Sequence, residues 1–130
     1  MNRTLHTLFA AALAVVFAAS VAPAAPVGVS VNGVELDSGG SGDVGWTYVS
    51  PTLRLTNAGP FMISGANTEG KVRVTVAAGL SSAVTLSNLT LRTSSDDRCI
   101  FTLGSGANVS LTLAVANELA SGSGRPGIRL

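Results

Sequence analysis

Asp96-Asp97-Arg98 is the densest charged cluster in this 130-residue chain, and two carboxylates beside a guanidinium are residue types suited to calcium or to a charged ligand. Their adjacency argues against a metal. Calcium takes six to eight oxygen ligands, and neighbouring residues on a strand point to opposite faces. The cluster therefore reads as a solvated turn after Thr93-Ser94-Ser95, with Asp96, Asp97 and Arg98 as candidate polar contacts to a sugar. Trp46 and Tyr48 are the second candidate pair. Each couples an apolar ring face to a polar tip, the combination that stacks on a sugar ring, although both occupy the column held later by Val74 and Val76, then Phe101 and Leu103, which favours filling the core. Neither a metal site nor a cofactor is expected.

What the chain lacks excludes more than these residues suggest. Residues 1–25 read as a signal peptide: Asn2-Arg3 supplies a positive start, Leu5 to Ala19 an apolar stretch, and Ser20 to Ala25 small residues for cleavage. His6, Thr7, Pro23 and Pro26 shorten the apolar run below the roughly 20 residues that a membrane span needs. The expected address is secreted, extracellular or periplasmic. His6 is the sole histidine, so cleavage removes every Ser-His or Cys-His nucleophile and every histidine-containing zinc site. Arg3 leaves as well, which equalises basic and acidic residues. A neutral chain carries no net attraction for nucleic acid or an anionic membrane, and neither partner is expected. Cys99 stands alone, forms no internal disulfide, and reads as a small buried apolar residue.

The elements that would position these side chains recur. Trp46-Thr47-Tyr48, Val74-Thr75-Val76, Phe101-Thr102-Leu103 and Ile128-Arg129-Leu130 follow at spacings of 28, 27 and 27, and each alternates as a half-buried strand does. Gly79 recurs as Gly106, Val84-Thr85-Leu86 as Val109-Ser110-Leu111, and Leu91 as Leu119. Units of this length bury their apolar faces by stacking on one another. Strands are expected near Gly28–Leu36, Gly45–Val49, Thr52–Thr56, Phe61–Gly65, Lys71–Ala77, Ala83–Thr93, Cys99–Leu103, Val109–Ala116 and Gly127–Leu130. Helical patterning is nearly absent. Glycine clusters such as Ser38-Gly39-Gly40-Ser41-Gly42 and Ser121-Gly122-Ser123-Gly124 supply the turns. Thr47, Thr75 and Thr102 then form an outward column.

The stretches Gly42 to Tyr48, Thr52 to Leu55, Ile63 to Gly65, Val84 to Leu91, Asn117 to Leu119 and Pro126 to Ile128 carry a family resemblance. Together they resemble secreted bacterial β-helix proteins of the carbohydrate-binding domain-containing type, related to pectate-lyase-like folds and surface adhesins. The resemblance implies an all-β, right-handed parallel β-helix (β-solenoid) of about three to four coils behind the signal peptide. The expected organisation is a signal peptide over 1–25, an N-terminal strand and Gly/Ser loop acting as a cap over 26–44, and a C-terminally incomplete solenoid over 45–130. The expected function is a noncatalytic exported module that binds carbohydrate or mediates surface adhesion, with a glycan or cell-surface polymer as partner. A structural fragment that self-associates through an open C-terminal coil is the alternative. A polysaccharide lyase stands third, since two adjacent aspartates and one arginine fall short of a lyase's calcium site and base.

Overall fold

Strict alternation along most segments dictates strands with one wet and one dry face. A computed structural model describes residues 26–38, 44–93 and 98–130; residues 1–25, 39–43 and 94–97 lie outside the described residues. The strands are β1 (Val29–Val31), β2 (Val34–Glu35), β3 (Trp46–Val49), β4 (Thr52–Leu55), β5 (Phe61–Asn67) and β6 (Arg73–Val76). They continue with β7 (Ser81–Arg92), β8 (Phe101–Leu103), β9 (Asn108–Ala114), β10 (Glu118–Ala120) and β11 (Ile128–Arg129). A short 3-10 turn covers Leu36–Ser38. No helix among the described residues is long and apolar enough to cross a membrane.

The strands form two mixed sheets. One is six-stranded in the order β10-β7-β5-β1-β2, with β9 also beside β7; the other is five-stranded in the order β11-β8-β6-β4-β3. From β4 onward the chain alternates between the sheets except at β9 and β10, which both lie beside β7, and from β6 onward each strand pairs in parallel with an earlier strand of its own sheet. Val74 therefore lies beside Phe101, and Phe101 beside Ile128, each step being 27 positions. Leu91 lies beside Leu119, as expected from their spacing. Gly79 and Gly106 also stack, both at positive φ.

Three expected alignments shift. Leu53, not Trp46, sits beside Val74, because the chain reverses at Ser50-Pro51 and lays β3 antiparallel on β4, with Trp46 opposite Leu55. Alternation carries no direction, so a reversed strand keeps the same faces. Val84-Thr85-Leu86 pairs with Leu111-Thr112-Leu113, two residues beyond the expected triplet. A slip of two preserves which side chains face inward, which is why the pattern did not reveal it. The strand expected over Gly28–Leu36 folds back on itself at Asn32 (φ 51) and Gly33 (φ 82) to make the β1–β2 hairpin. Asn-Gly supplies the two positive φ values that a tight hairpin demands.

Columns of apolar side chains fill the space between the sheets. Leu53, Val74 and Phe101 stack in one, and Ile63 and Leu86 in another, all fully buried. Each such side chain contributes roughly 1.5–3 kcal/mol against the cost of ordering its backbone. The last layer is thinner. Leu113 continues the Ile63–Leu86 column but is 64% exposed, and Ile128 continues the Phe101 column at 36%.

Sharp corners let one sheet wrap the core. The β5–β7 register shifts between Ser64 and Gly65, where Asn88 (φ 51) is the extra residue of β7, and the chain between β9 and β10 turns at Val115 (φ 60). Gly65 holds φ 109, and a Cβ there would lie 2.1 Å from the Gly28 carbonyl oxygen, so only glycine fits. Asn117 fastens the last corner to the layer before it. Its Oδ1 accepts from the Leu89 amide at 2.9 Å, and its Nδ2 donates to the carbonyls of Leu86 and Ala114, both at 3.1 Å.

Stacking makes a leucine's worth depend on its layer. Leu86→Ala is expected to lower unfolding free energy by about 2–5 kcal/mol, and Leu113→Ala in the same column by less than about 1 kcal/mol, measured by urea denaturation. Equal losses would mean that the last layer is covered as fully as the middle one.

Candidate functional site

The sheet made of β3, β4, β6, β8 and β11 turns Leu53, Leu55, Val74, Val76 and Phe101 inward, where all five are buried. Alternation then sends Thr52, Arg54, Arg73, Thr75, Thr102 and Arg129 outward. Register aligns them into a column: Thr47 beside Arg54, Arg54 beside Thr75, Thr75 beside Thr102, and Thr102 beside Arg129. Thr47, Thr75 and Thr102 do share a column, as expected, but Arg54 interrupts it. A parallel row begins with Thr52 beside Arg73.

Between these rows lies a recess of about 320 Å³ lined by Thr52, Arg73, Thr75, Arg98, Cys99, Thr102 and Arg129. Among the described residues three guanidinium groups line it and no carboxylate does. The ion pairs Lys71–Glu69 and Arg92–Glu118 are made by other basic residues. Partial burial holds the Arg73 guanidinium below the usual arginine range, and the like charge of Arg98 adds to the effect. Hydrogen-bond donors thus outnumber acceptors here. Each guanidinium presents five donors in a planar fork, and the three threonine hydroxyls turn to suit a partner. A larger hollow of about 720 Å³ adjoins it, sharing Thr102 and Arg129, and runs along residues 102–109 to Leu130.

The five candidate sugar contacts do not converge. Trp46 is 1% exposed and belongs to the core, so its indole is closed to a ligand. Tyr48 packs against that core while its hydroxyl donates to the Lys71 carbonyl at 2.7 Å. Arg98 is exposed and lines the recess. Asp96 and Asp97 lie outside the described residues. Cys99 is half-buried at the recess wall and not in the core; Ile100 takes the inward place beside it. Among the described residues no three His, Cys, Asp or Glu side chains gather as metal ligands would.

Sequence reasoning missed Arg54, Arg73 and Arg129 as companions of Arg98. Thr75, Thr102 and Arg129 hold the middle, outward place of the repeated triplets and Arg54 alternates with Leu53 and Leu55, so that signal was present. A count of net charge concealed it.

Trp46 is the chain's single tryptophan, so intrinsic fluorescence reports on it alone. A blue-shifted emission that acrylamide barely quenches is expected, unchanged on adding a glycan. An emission typical of hydrated indole, or quenching by a bound sugar, would return Trp46 to the candidate contacts. No family model, curated protein or solved structure matches the chain.

Proposed function

We propose that this chain is a noncatalytic exported module that binds a carbohydrate polymer along the outer face of the β11-β8-β6-β4-β3 sheet. In this reading the two sheets are walls of a right-handed parallel β-helix. The parallel displacement by 27 positions from β6 to β8 and from β8 to β11 supports that architecture, as does the alternation of strands between sheets. One observation carries the functional reading: Arg54, Thr75, Thr102 and Arg129 lie in register on successive strands, giving a row of hydroxyl and guanidinium donors. Strand neighbours stand about 4.8 Å apart, so such a row offers similar contacts at each step, which suits a repeating polymer. Glycan hydroxyls and ring oxygens are acceptors for those donors.

Glycan-array screening tests it. Binding is expected, and a Thr75→Val, Thr102→Val double variant is expected to weaken it by about tenfold, the worth of one to two hydrogen bonds. Trp46→Phe is expected to leave it unchanged. Absence of binding to any glycan, or a larger loss with Trp46→Phe than with the threonine pair, would remove this reading.

A second reading, self-association, draws support from the exposed inward residues Leu113 and Ile128 of the last layer and from the edge position of β11. It predicts a weight-average mass that rises with concentration in sedimentation equilibrium and returns to the monomer with Ile128→Lys. A concentration-independent monomer mass would dismiss it.

A further inference from the structure

Arginine side chains gather on one sheet face among the described residues. Outside the signal segment the chain's basic and acidic residues balance, yet Arg54, Arg73, Arg98 and Arg129 stand on the β11-β8-β6-β4-β3 sheet face or at its rim, and three of them line one recess with no carboxylate among the described residues. Gathering like charges raises the energy of the folded state unless an opposite charge joins them.

We propose that the recess between Arg73, Arg98 and Arg129 is an oxyanion site that takes the carboxylate or sulfate group of an acidic glycan. The proposal rests on the reading of this sheet face as a glycan-binding surface and names the charge class of the ligand. Guanidinium is the side chain best matched to a planar or tetrahedral oxyanion, because two parallel N–H groups reach two oxygens at once. Thr52, Thr75 and Thr102 supply neutral donors around the same recess. The register continues the donors beyond the recess to Arg54, so a polymer has a path. A glycan fits the face better than a single-stranded nucleic acid does. Nucleic-acid strands are held by aromatic rings on which bases stack, and here Trp46, Phe61 and Phe101 are all buried in the core.

Cys99 supplies a built-in reporter, being the chain's single cysteine and part of the recess wall. An anionic methanethiosulfonate is expected to modify it faster than a cationic one of similar size. Arg73→Gln with Arg129→Gln is expected to shrink that difference severalfold. Titrations with a polyuronate, a sulfated glycan and a neutral glycan of equal length then read the ligand class. At least one acidic polymer is expected to bind more weakly as salt rises and to slow Cys99 modification, and which one does so separates carboxylate from sulfate. Each single arginine variant is expected to weaken that binding by about tenfold, as for a charge-assisted hydrogen bond. Acidic-polymer binding that the double variant leaves intact would overturn the proposal, as would single-stranded DNA binding more tightly than either acidic glycan. Binding of the neutral glycan alone, unmoved by the arginine variants, would overturn it while leaving the glycan-binding reading in place. No binding to any of the three would remove both.

Discussion

Register is the constraint on which everything else in this molecule rests. Side chains alternate with a period of two, so sliding any parallel strand by one residue would turn Val74, Val76 or Phe101 toward water and draw Thr75 or Thr102 into the core. Burying a hydroxyl without a partner costs more than a typical hydrogen bond returns, and exposing a valine or phenylalanine forfeits its transfer energy. Both penalties act in the same direction at every layer. The outer row of arginine and threonine is therefore set by the inner row of leucine, valine and phenylalanine, though the two share no chemistry.

Backbone polar groups impose a second requirement at the corners, where neither sheet can pair them. Asparagine answers it repeatedly. Asn117 joins the Leu89 amide to the carbonyls of Leu86 and Ala114; Asn67 accepts from the amides of Glu69 and Lys71 and donates to the Val27 carbonyl; Asn32 accepts from the Met62 amide and donates to the Pro60 carbonyl. An amide side chain has both donors and an acceptor, so one residue can bridge two strands of a corner at once. No buried side-chain nitrogen or oxygen among the described residues is left without a partner.

Much of the strand inventory was legible in the sequence, since alternation is written residue by residue, and Val74, Phe101 and Ile128 aligned as their spacing implied. Direction was not legible. Trp46-Thr47-Tyr48 has the same pattern read either way, and only the reversal at Ser50-Pro51 makes it antiparallel. Slips of two residues, as between Val109 and Leu111, are likewise invisible to a pattern of period two. The short strand Glu118–Ala120 escaped because three residues carry too little alternation to stand out. Arg98 was recognised within its charged cluster, but its companions come from other strands, and only pairing brings Arg73 and Arg129 to the same recess. Trp46 stayed among the candidate contacts because a ring suited to a sugar is equally suited to the end of a core, although its place in the repeat already favoured the packing role that it has.

The antiparallel strands sit at one end only: β2 and β1 border β5, and β3 borders β4, while later neighbours are all parallel. A gene duplication that inserts one more 27-residue unit among the parallel layers needs no change in either reversed strand, because each new layer presents the same edge it received. The same insertion ahead of β4 would have to displace strands running the opposite way. The fold is thus a ruler graduated from a fixed zero, and the length of its donor row can be edited without disturbing its origin.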